Sequence, residues 1–215
     1  MKSRLQPIRV FCLHHVCAEF DAESMCEIDW TQIDEFKSKV QKIQKHGVEF
    51  ISLSDAYYHI CKDWFRRKKY VVLTFDDGYV SIKEILPWLE ERGIPVTLFI
   101  NGKYLDGKSY RKNPKEQYLT KEELFALTSP MIEIGSHGWE HVRATRQTEA
   151  EFSESIEKNV AMLSKHQRYI PFHAYAYGDH NDALDAILRQ NSLMPVLIDG
   201  AKNYNNHTCV HRELL

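Results

Sequence analysis

Residues 70–75, with the sequence YVVLTF, form an unbroken run of apolar, β-branched and aromatic side chains. Such a run is typical of a β-strand that is covered on both faces, as in parallel sheets flanked by helices. Asp76, Asp77 and Gly78 follow it directly. Ligands bind beyond the carboxyl ends of the strands in such sheets, so the two carboxylates could belong to a functional site. The sequence is equally compatible with a turn in which Asp caps a helix and Gly reverses the chain.

Strand-like and helix-like segments alternate along the whole chain, without an internal repeat. Strands are predicted at 8–16, 48–53, 70–75, 96–101, 131–135, 169–176 and 194–198, and helices are predicted to begin near 31, 54, 81, 120, 149 and 181. A polar turn and a short apolar end follow the last strand. The alternation predicts an α/β fold with a parallel sheet or barrel wrapped by helices. A length of 215 residues suits a single domain that covers 1–215.

Local signals refine this picture at helix starts and in loops. Ser54 is predicted to cap the second helix, and Thr120 and Glu123 are predicted to form a capping box. The polar stretches 21–30 and 102–118 are predicted to be surface loops, of the kind that shape substrate binding on a rigid scaffold. A site at the ends of the strands is therefore expected to be bordered by loops.

A pair of histidines follows another predicted strand. His137 and His141 are four residues apart in the sequence SHGWEH, and on one face of a helical turn both imidazoles can reach the same ion. Taken alone, such a pair is more often two surface or core histidines. Together with Asp77 it supplies two nitrogens and one oxygen, the donor set of a hydrolytic metal site with positions left open for water and substrate. Asp76 would then be placed to act as a general base.

These segments resemble signature motifs of a known family. TFDDGY (74–79) and GSHGWEH (135–141) resemble the first two motifs of the polysaccharide deacetylases, carbohydrate esterase family 4. Residues 94–100 are similar to the family's next strand, and residues 174–178, AYAYG, fall where its third motif commonly ends in Pro-Tyr-Gly. Residues 10–16, VFCLHHV, resemble the start of the poly-N-acetylglucosamine deacetylase branch. In that branch the motif order is permuted and the motif histidine lies near the N-terminus.

The resemblance implies a distorted (β/α) barrel of about seven parallel strands wrapped by helices. It also implies a metal-dependent hydrolase that removes N-acetyl groups from an N-acetylated sugar or polysaccharide, with acetate as a product. The residues that match the motifs carry the implied roles. Asp77, His137 and His141 would bind the metal, Asp76 would be the catalytic base, and the backbone N–H of Tyr177 would donate to the oxyanion.

The catalytic acid and the metal remain open to alternatives. The permuted branch places the acid at His14, whereas an unpermuted order would place it at His211 in the sequence CVHR. The donor set suits Zn²⁺, and Co²⁺, Ni²⁺ or Fe²⁺ would fit the same ligands. An N-acetylated carbohydrate is therefore the expected substrate, and a divalent cation, Zn²⁺ first, is the expected cofactor.

Two positions depart from the family's third motif. Ala174 stands where the family commonly has an Arg that orients the base carboxylate. The poly-N-acetylglucosamine branch resembles this chain in lacking an Arg at that place. Ala176 replaces the motif proline, so the loop that presents Tyr177 loses the restriction that a proline ring imposes.

Composition limits the remaining possibilities. A formal net charge of −2 argues against a partner held by phosphate neutralisation, so no nucleic acid is expected. Five cysteines without a CxxC pair do not indicate a disulfide framework. No stretch approaches the roughly 18 apolar residues of a membrane span. No secretory signal is visible in the chain as given, which favours a cytoplasmic location, although relatives of the family are exported.

Two other functions are compatible with the sequence. One is a catalytically silent relative that binds a carbohydrate, and the other is a hydrolase of a different amide or ester. The intact set of Asp76, Asp77, His137 and His141 disfavours the silent relative. The sequence leaves open which acetylated sugar is processed and in which oligomeric state the protein acts.

Overall fold

A computed structural model describes residues 5–19, 30–62, 67–106, 117–205 and 208–215, and the predicted loops therefore fall largely outside the described residues, at 21–29 and 107–116. The strands are β1 Ile8–Leu13, β2 His15–Cys17, β3 Trp30–Gln32, β4 Val48–Phe50, β5 Lys69–Phe75, β6 Val96–Ile100, β7 Ile132–Ser136, β8 Tyr169–Ala174, β9 Met194–Ile198 and β10 Val210–Leu214. The helices are α1 Ile33–Lys45, α2 Leu53–Lys62, α3 Ile82–Glu91, α4 Lys121–Ala126, α5 Glu149–Leu163 and α6 Asp182–Gln190.

Parallel strands close into a barrel. The ring runs β1, β10, β9, β8, β7, β6 and β5, and β5 returns to β1 in register from Ile8 opposite Tyr70 to Leu13 opposite Phe75. β4 adds to the outer edge of β5, and β2 pairs with β3 in a separate two-stranded sheet. Helices surround the ring. The predicted distorted (β/α) barrel of seven parallel strands is confirmed for the described residues.

The central strand β5 is buried on both faces, as its composition predicts. Val72 packs with Phe99 and Val196 in one apolar cluster, while Leu73 packs with Phe36 in another. Burying one such side chain stabilises the fold by roughly 1.5–3 kcal/mol. The double burial fixes β5 in the middle of the structure, and with it the position of the carboxylates that follow.

The prediction of one strand over residues 8–16 was wrong. β1 ends at Leu13 and a new strand, β2, begins at His15, because the chain leaves the barrel there to pair with β3. His14 lies at the break and therefore at the carboxyl end of β1. The separation from the barrel depends on pairing with a segment distant in sequence, which the alternation of side chains does not reveal.

Helix starts were predicted with mixed success. The capping box of Thr120 and Glu123 is confirmed, with both reciprocal hydrogen bonds formed. The prediction that Ser54 caps α2 was wrong, because α2 begins at Leu53 and Ser54 is already its second residue. Ser52 caps the helix instead. Its Oγ accepts a hydrogen bond from Asp55 N at 3.1 Å and donates one to Asp55 Oδ2 at 3.0 Å.

The end of the chain differs most from the prediction. Residues 210–214 were expected to form only a short apolar end, yet they form β10, which lies between β1 and β9 and closes the barrel. Its inward-facing centre is the buried Arg212 rather than an apolar residue. None of the helices in the described ranges has the length and hydrophobicity that a membrane span requires.

A buried asparagine joins α5 to the barrel. Asn159 is fully buried, and its Nδ2 donates to Ile100 O and to Ser136 Oγ, both at 2.9 Å. These acceptors are the last residues of β6 and β7. Asn159 therefore fixes the strand ends from which the chain enters the mouth of the barrel.

Replacing Asn159 with Leu is expected to lower the free energy of unfolding by about 1–3 kcal/mol, because both hydrogen bonds of its buried amide, to Ile100 O and Ser136 Oγ, would be lost. Urea unfolding followed by circular dichroism measures the change. The control is Ser153→Ala on the same helix, whose partly exposed hydroxyl donates to the exposed Glu157, and the change there is expected to stay within about 0.5 kcal/mol. Equal effects of the two substitutions would contradict this role for Asn159.

Candidate active site

The residues predicted from the sequence meet at the mouth of the barrel. They line one cavity of about 230 Å³, formed at the carboxyl ends of the strands. The predicted residues in its lining are His14, Asp76, Asp77, His137, His141 and Tyr177. A larger cavity of about 410 Å³ lies beside α5 and is lined by none of them. Convergent titratable groups identify a site better than volume does, so the smaller cavity is the candidate active site.

Asp77, His137 and His141 form a compact set of donor atoms. Asp77 Oδ1 lies 3.4 Å from His137 Nε2 and 3.3 Å from His141 Nε2. The three atoms all lie within 4.8 Å of one another. The Nδ1 of His137 donates to the carbonyl of Ala174 at 2.7 Å, which leaves the lone pair of Nε2 directed at the set. Two imidazole nitrogens and one carboxylate oxygen in this arrangement fit a divalent cation such as Zn²⁺.

The two adjacent carboxylates reach the same cavity because the backbone turns between them. In a continuing strand Asp76 and Asp77 would point to opposite faces. Asp77 instead has φ 72° and Gly78 has φ 83°, both in the left-handed region. Such a conformation at a non-glycine residue costs energy and is concentrated at functional sites. The sequence allowed either a turn or a functional site at residues 76–78. The structure has a turn there, and this turn directs both carboxylates into the cavity.

The histidine pair converges by a different route from the one predicted. Residues 137–143 form an irregular loop after β7 and not a helical turn. Gly138 adopts φ 84° and redirects the chain. Three side chains hold the backbone in place: Asn101 Nδ2 donates to His137 O, while Trp139 N and His141 N donate to Ser155 and Tyr104. The convergence was predicted correctly, but the helical geometry was wrong.

Asp76 is held by an arginine that no sequence motif indicates. Arg212 in β10 donates from Nη1 to Asp76 Oδ1 at 2.6 Å and from Nη2 to Oδ2 at 2.8 Å. Arg212 Nη1 also donates to Thr74 Oγ1, and the thiol of Cys12 donates to Asp76 Oδ2 at 3.4 Å. Ala174 leaves the third motif without an arginine, and Arg212 reaches the same carboxylate from the other end of the chain.

Charges around the cavity keep both acids ionised. Burial alone would raise the pKa of Asp76, but the charges of Arg212 and then His137 lower it to about 2. Burial would likewise raise the pKa of Asp77, and His141 and His137 lower it well below its usual value. At neutral pH Asp76 can therefore accept a proton, and Asp77 offers a charged oxygen to a cation.

The two candidate acids lie in different places. A ring nitrogen of His14, Cys12 Sγ and a carboxylate oxygen of Asp76 lie within 4.8 Å of one another in the cavity wall. His211 faces away from the cavity, with Nδ1 at 2.8 Å from Asp199 Oδ2. Placement therefore favours His14. Cys12, His14 and Asp76 also lie close enough to share a cation, but the guanidinium of Arg212 covers both oxygens of Asp76 and repels a second cation at this place.

Tyr177 lies on the rim, in a loop with positive φ. Its φ is 60°, that of Gly178 is 70°, and its side chain is 54% exposed. The ring lies 4.4 Å from that of His141, and the guanidinium of Arg143 lies 4.3 Å from its centroid. A Cβ at Gly178 would come within 2.7 Å of Ile198, so the loop lies tightly against β9. These contacts position the loop although Ala176 replaces the motif proline.

Comparison with known proteins identifies a family. A family model described as polysaccharide deacetylase matches residues 65–196, which include the Asp pair, the His pair and Tyr177. The protein YxkH of Bacillus subtilis (strain 168) is 25% identical over 153 residues, which cover 69% of this chain and 51% of that protein. The chain thus spans about half the length of this curated relative.

Solved structures share the fold over nearly the whole chain. IcaB from Ammonifex degensii has a TM-score of 0.81 at 22% identity, covering 98% of this chain and 92% of its own. The Streptococcus pyogenes deacetylase PplD, solved in complex with acetate, has a TM-score of 0.83 at 18% identity, covering 99% and 93%. A de-N-acetylase from Aggregatibacter actinomycetemcomitans has a TM-score of 0.80 at 18% identity, covering 98% and 95%. At these identities the similarity establishes the barrel fold.

Proposed function

The chain belongs to the polysaccharide deacetylase family, and from this membership we propose that it hydrolyses N-acetyl groups of an N-acetylated sugar with the help of a divalent cation. The observation that carries the proposal is the convergence of Asp77, His137 and His141 in one cavity with the ionised carboxylate of Asp76. A three-ligand set with a base beside it is suited to hydrolysis and has no evident use in a binding module.

The three-residue set is proposed to hold Zn²⁺, with Co²⁺, Ni²⁺ or Fe²⁺ as ions that the same donors would accept. When bound, such a cation polarises a carbonyl oxygen and lowers the pKa of water. An amide needs this help because its carbonyl is weakly electrophilic. The hydrogen bond from His137 to Ala174 supports the proposal, since it holds the imidazole in the orientation that a ligand needs.

The remaining residues are proposed to manage protons and charge. Asp76 would accept a proton from the attacking water, and Arg212 would hold its carboxylate in one orientation. His14, which lines the same cavity as Tyr177, would give a proton to the departing amine. The backbone N–H of Tyr177 would donate to the negative oxygen that develops on the carbonyl carbon.

The decisive experiment measures acetate release from N-acetylglucosamine oligomers by protein that has been stripped with a chelator and then reloaded with Zn²⁺. We expect release from the reloaded protein and none from the stripped protein. Sugar binding without release in both forms would identify a silent binding relative. Release from other acetylated amides or esters alone would identify a hydrolase of a different substrate.

A pair of substitutions tests which histidine is the acid. His14→Gln is expected to lower kcat by roughly 10²–10⁴-fold, the usual contribution of a positioned acid or base. His211→Gln is the control, and its kcat for acetate release is expected to stay within about twofold because His211 faces Asp199 outside the cavity. The opposite pattern would assign the acid to His211 and reject the permuted motif order.

A further inference from the structure

A hydrogen-bonded chain of Cys209, His211 and Asp199 lies outside the candidate active site. Cys209 Sγ is 3.5 Å from His211 Nε2. The other ring nitrogen, Nδ1, is 2.8 Å from Asp199 Oδ2 and 3.1 Å from Oδ1. None of the three residues lines the catalytic cavity. A nucleophile, a base and a group that orients the base thus occur in the order that activated thiols require.

The contact with Asp199 determines which nitrogen of His211 carries the proton. An ionised carboxylate can only accept hydrogen bonds, so Nδ1 must donate to it. In the neutral ring Nε2 then has a lone pair, and this lone pair faces the sulfur of Cys209. The thiol can pass its proton to Nε2, and the carboxylate of Asp199 stabilises the imidazolium that results.

The loop around this chain holds its members in place. Asn203 Oδ1 accepts from His211 N at 2.8 Å, and Asn203 Nδ2 donates to His211 O at 2.7 Å. Asp199 Oδ1 accepts from Ala201 N at 3.0 Å. The backbone of the base and the carboxylate that orients it are therefore both fixed before any reaction, which is how functional groups are positioned for chemistry.

We propose that Cys209 is an activated thiol that exchanges with small disulfides. His211 Nε2 accepts the proton of Cys209, and the thiolate attacks one sulfur of the disulfide R–S–S–R. A Cys209–S–S–R bond forms as the original S–S bond breaks, and the departing thiolate takes the proton back from His211. One disulfide is consumed and one is formed, so the exchange needs no further oxidant.

Solvent exposure and activation by His211 predict opposite orders of reaction for Cys209 and Cys61. Cys209 is only 8% exposed, whereas Cys61 on α2 is more accessible. If exposure decided reactivity, Cys61 would react first. The residue before Cys209, Thr208, is exposed and His211 is only partly buried, so the three-residue chain lies near the surface. Activation by His211 therefore predicts that the less exposed cysteine reacts first.

The experiment treats the full chain with 2-hydroxyethyl disulfide at neutral pH and follows each cysteine by peptide mass mapping. In the unmodified sequence Cys209 is expected to form the mixed disulfide about tenfold faster than Cys61, as thiolate character requires. Modification of Cys61 before Cys209 would overturn the proposal.

Two substitutions separate activation from packing. His211→Gln is expected to slow the reaction of Cys209 by about tenfold or more, and Asp199→Asn is expected to slow it by a smaller factor. Cys61 is the internal control, because its rate reports on folding and stays unchanged if the fold is intact. An unchanged rate at Cys209 in both variants, with an unchanged rate at Cys61, would overturn the proposal.

Discussion

Replacing Asp77 with Asn is expected to abolish both Zn²⁺ binding and acetate release. Asp77 supplies the carboxylate oxygen of the three-residue set, at 3.3–3.4 Å from both imidazole nitrogens. Changes that only touch outer partners of a metal ligand cost roughly 10–100-fold in affinity, so loss of a charged ligand should exceed about 100-fold. Asn tolerates the left-handed backbone conformation that this position requires, so the turn is expected to survive. Titration calorimetry with Zn²⁺ measures the affinity.

The neighbouring acid is the matched control. Asp76→Asn leaves all three donor atoms in place, so Zn²⁺ affinity is expected to fall by no more than the roughly 10–100-fold that outer partners of a metal ligand contribute. Acetate release is nevertheless expected to fall by roughly 10²–10⁴-fold, because the amide cannot accept the proton from water. Both variants are compared below their own unfolding temperatures, since Asp76→Asn also removes the counter-charge of Arg212. Retention of Zn²⁺ by Asp77→Asn, or its loss from Asp76→Asn, would reverse the proposed roles.

The parts of the site that are local in sequence were predictable. Asp76 and Asp77 follow an unmistakably buried strand, and the spacing of His137 and His141 is compatible with a shared ion. What the spacing could not determine was the backbone between the histidines. A four-residue interval suits both a helical turn and a loop redirected by Gly138, and only the packing of Asn101 and other side chains around the loop decides between them.

The parts that depend on distant pairing were not predictable. β10 lacks the alternation of a half-buried strand, because its central inward position carries Arg212 instead of an apolar residue. A buried arginine is rare without a partner, and its partner Asp76 is 136 residues away in sequence. Composition and periodicity contain no sign of this pair. The break between β1 and β2 was missed for the same reason, since it follows from pairing with β3.

The ion pair between Arg212 and Asp76 leads to the largest expected effect on stability. Replacing Arg212 with Met is expected to lower the free energy of unfolding by about 3–5 kcal/mol, because Asp76 would remain as a buried charge without its partner. Urea unfolding of the metal-free protein at neutral pH measures the change. Arg212→Lys keeps the charge but not the two parallel hydrogen bonds, and its loss is expected to be smaller.

The pH dependence of this loss identifies its cause. Asp76 has its pKa lowered from 3.8 to about 2, so in the unmodified protein it contributes stability above about pH 4 that disappears as the pH falls towards 2. Without Arg212 the strongest opposing charge is gone, so burial is expected to raise the pKa of Asp76. The charged form is then a penalty that appears as the pH rises. The difference in stability between Arg212→Met and the unmodified protein is therefore expected to be large at about pH 7, to shrink as the pH falls, and to become small only near about pH 2.

A double variant separates the ion pair from simple packing. If the cost of Arg212→Met arises from the orphaned carboxylate, adding Asp76→Asn should restore part of the stability, and the two substitutions should be strongly non-additive. If the cost arises from a lost side chain in the barrel, the second substitution should make the protein weaker still and the pH dependence should be absent. The double variant is compared by stability alone, because Asp76→Asn removes the proposed base and keeps acetate release low in either case.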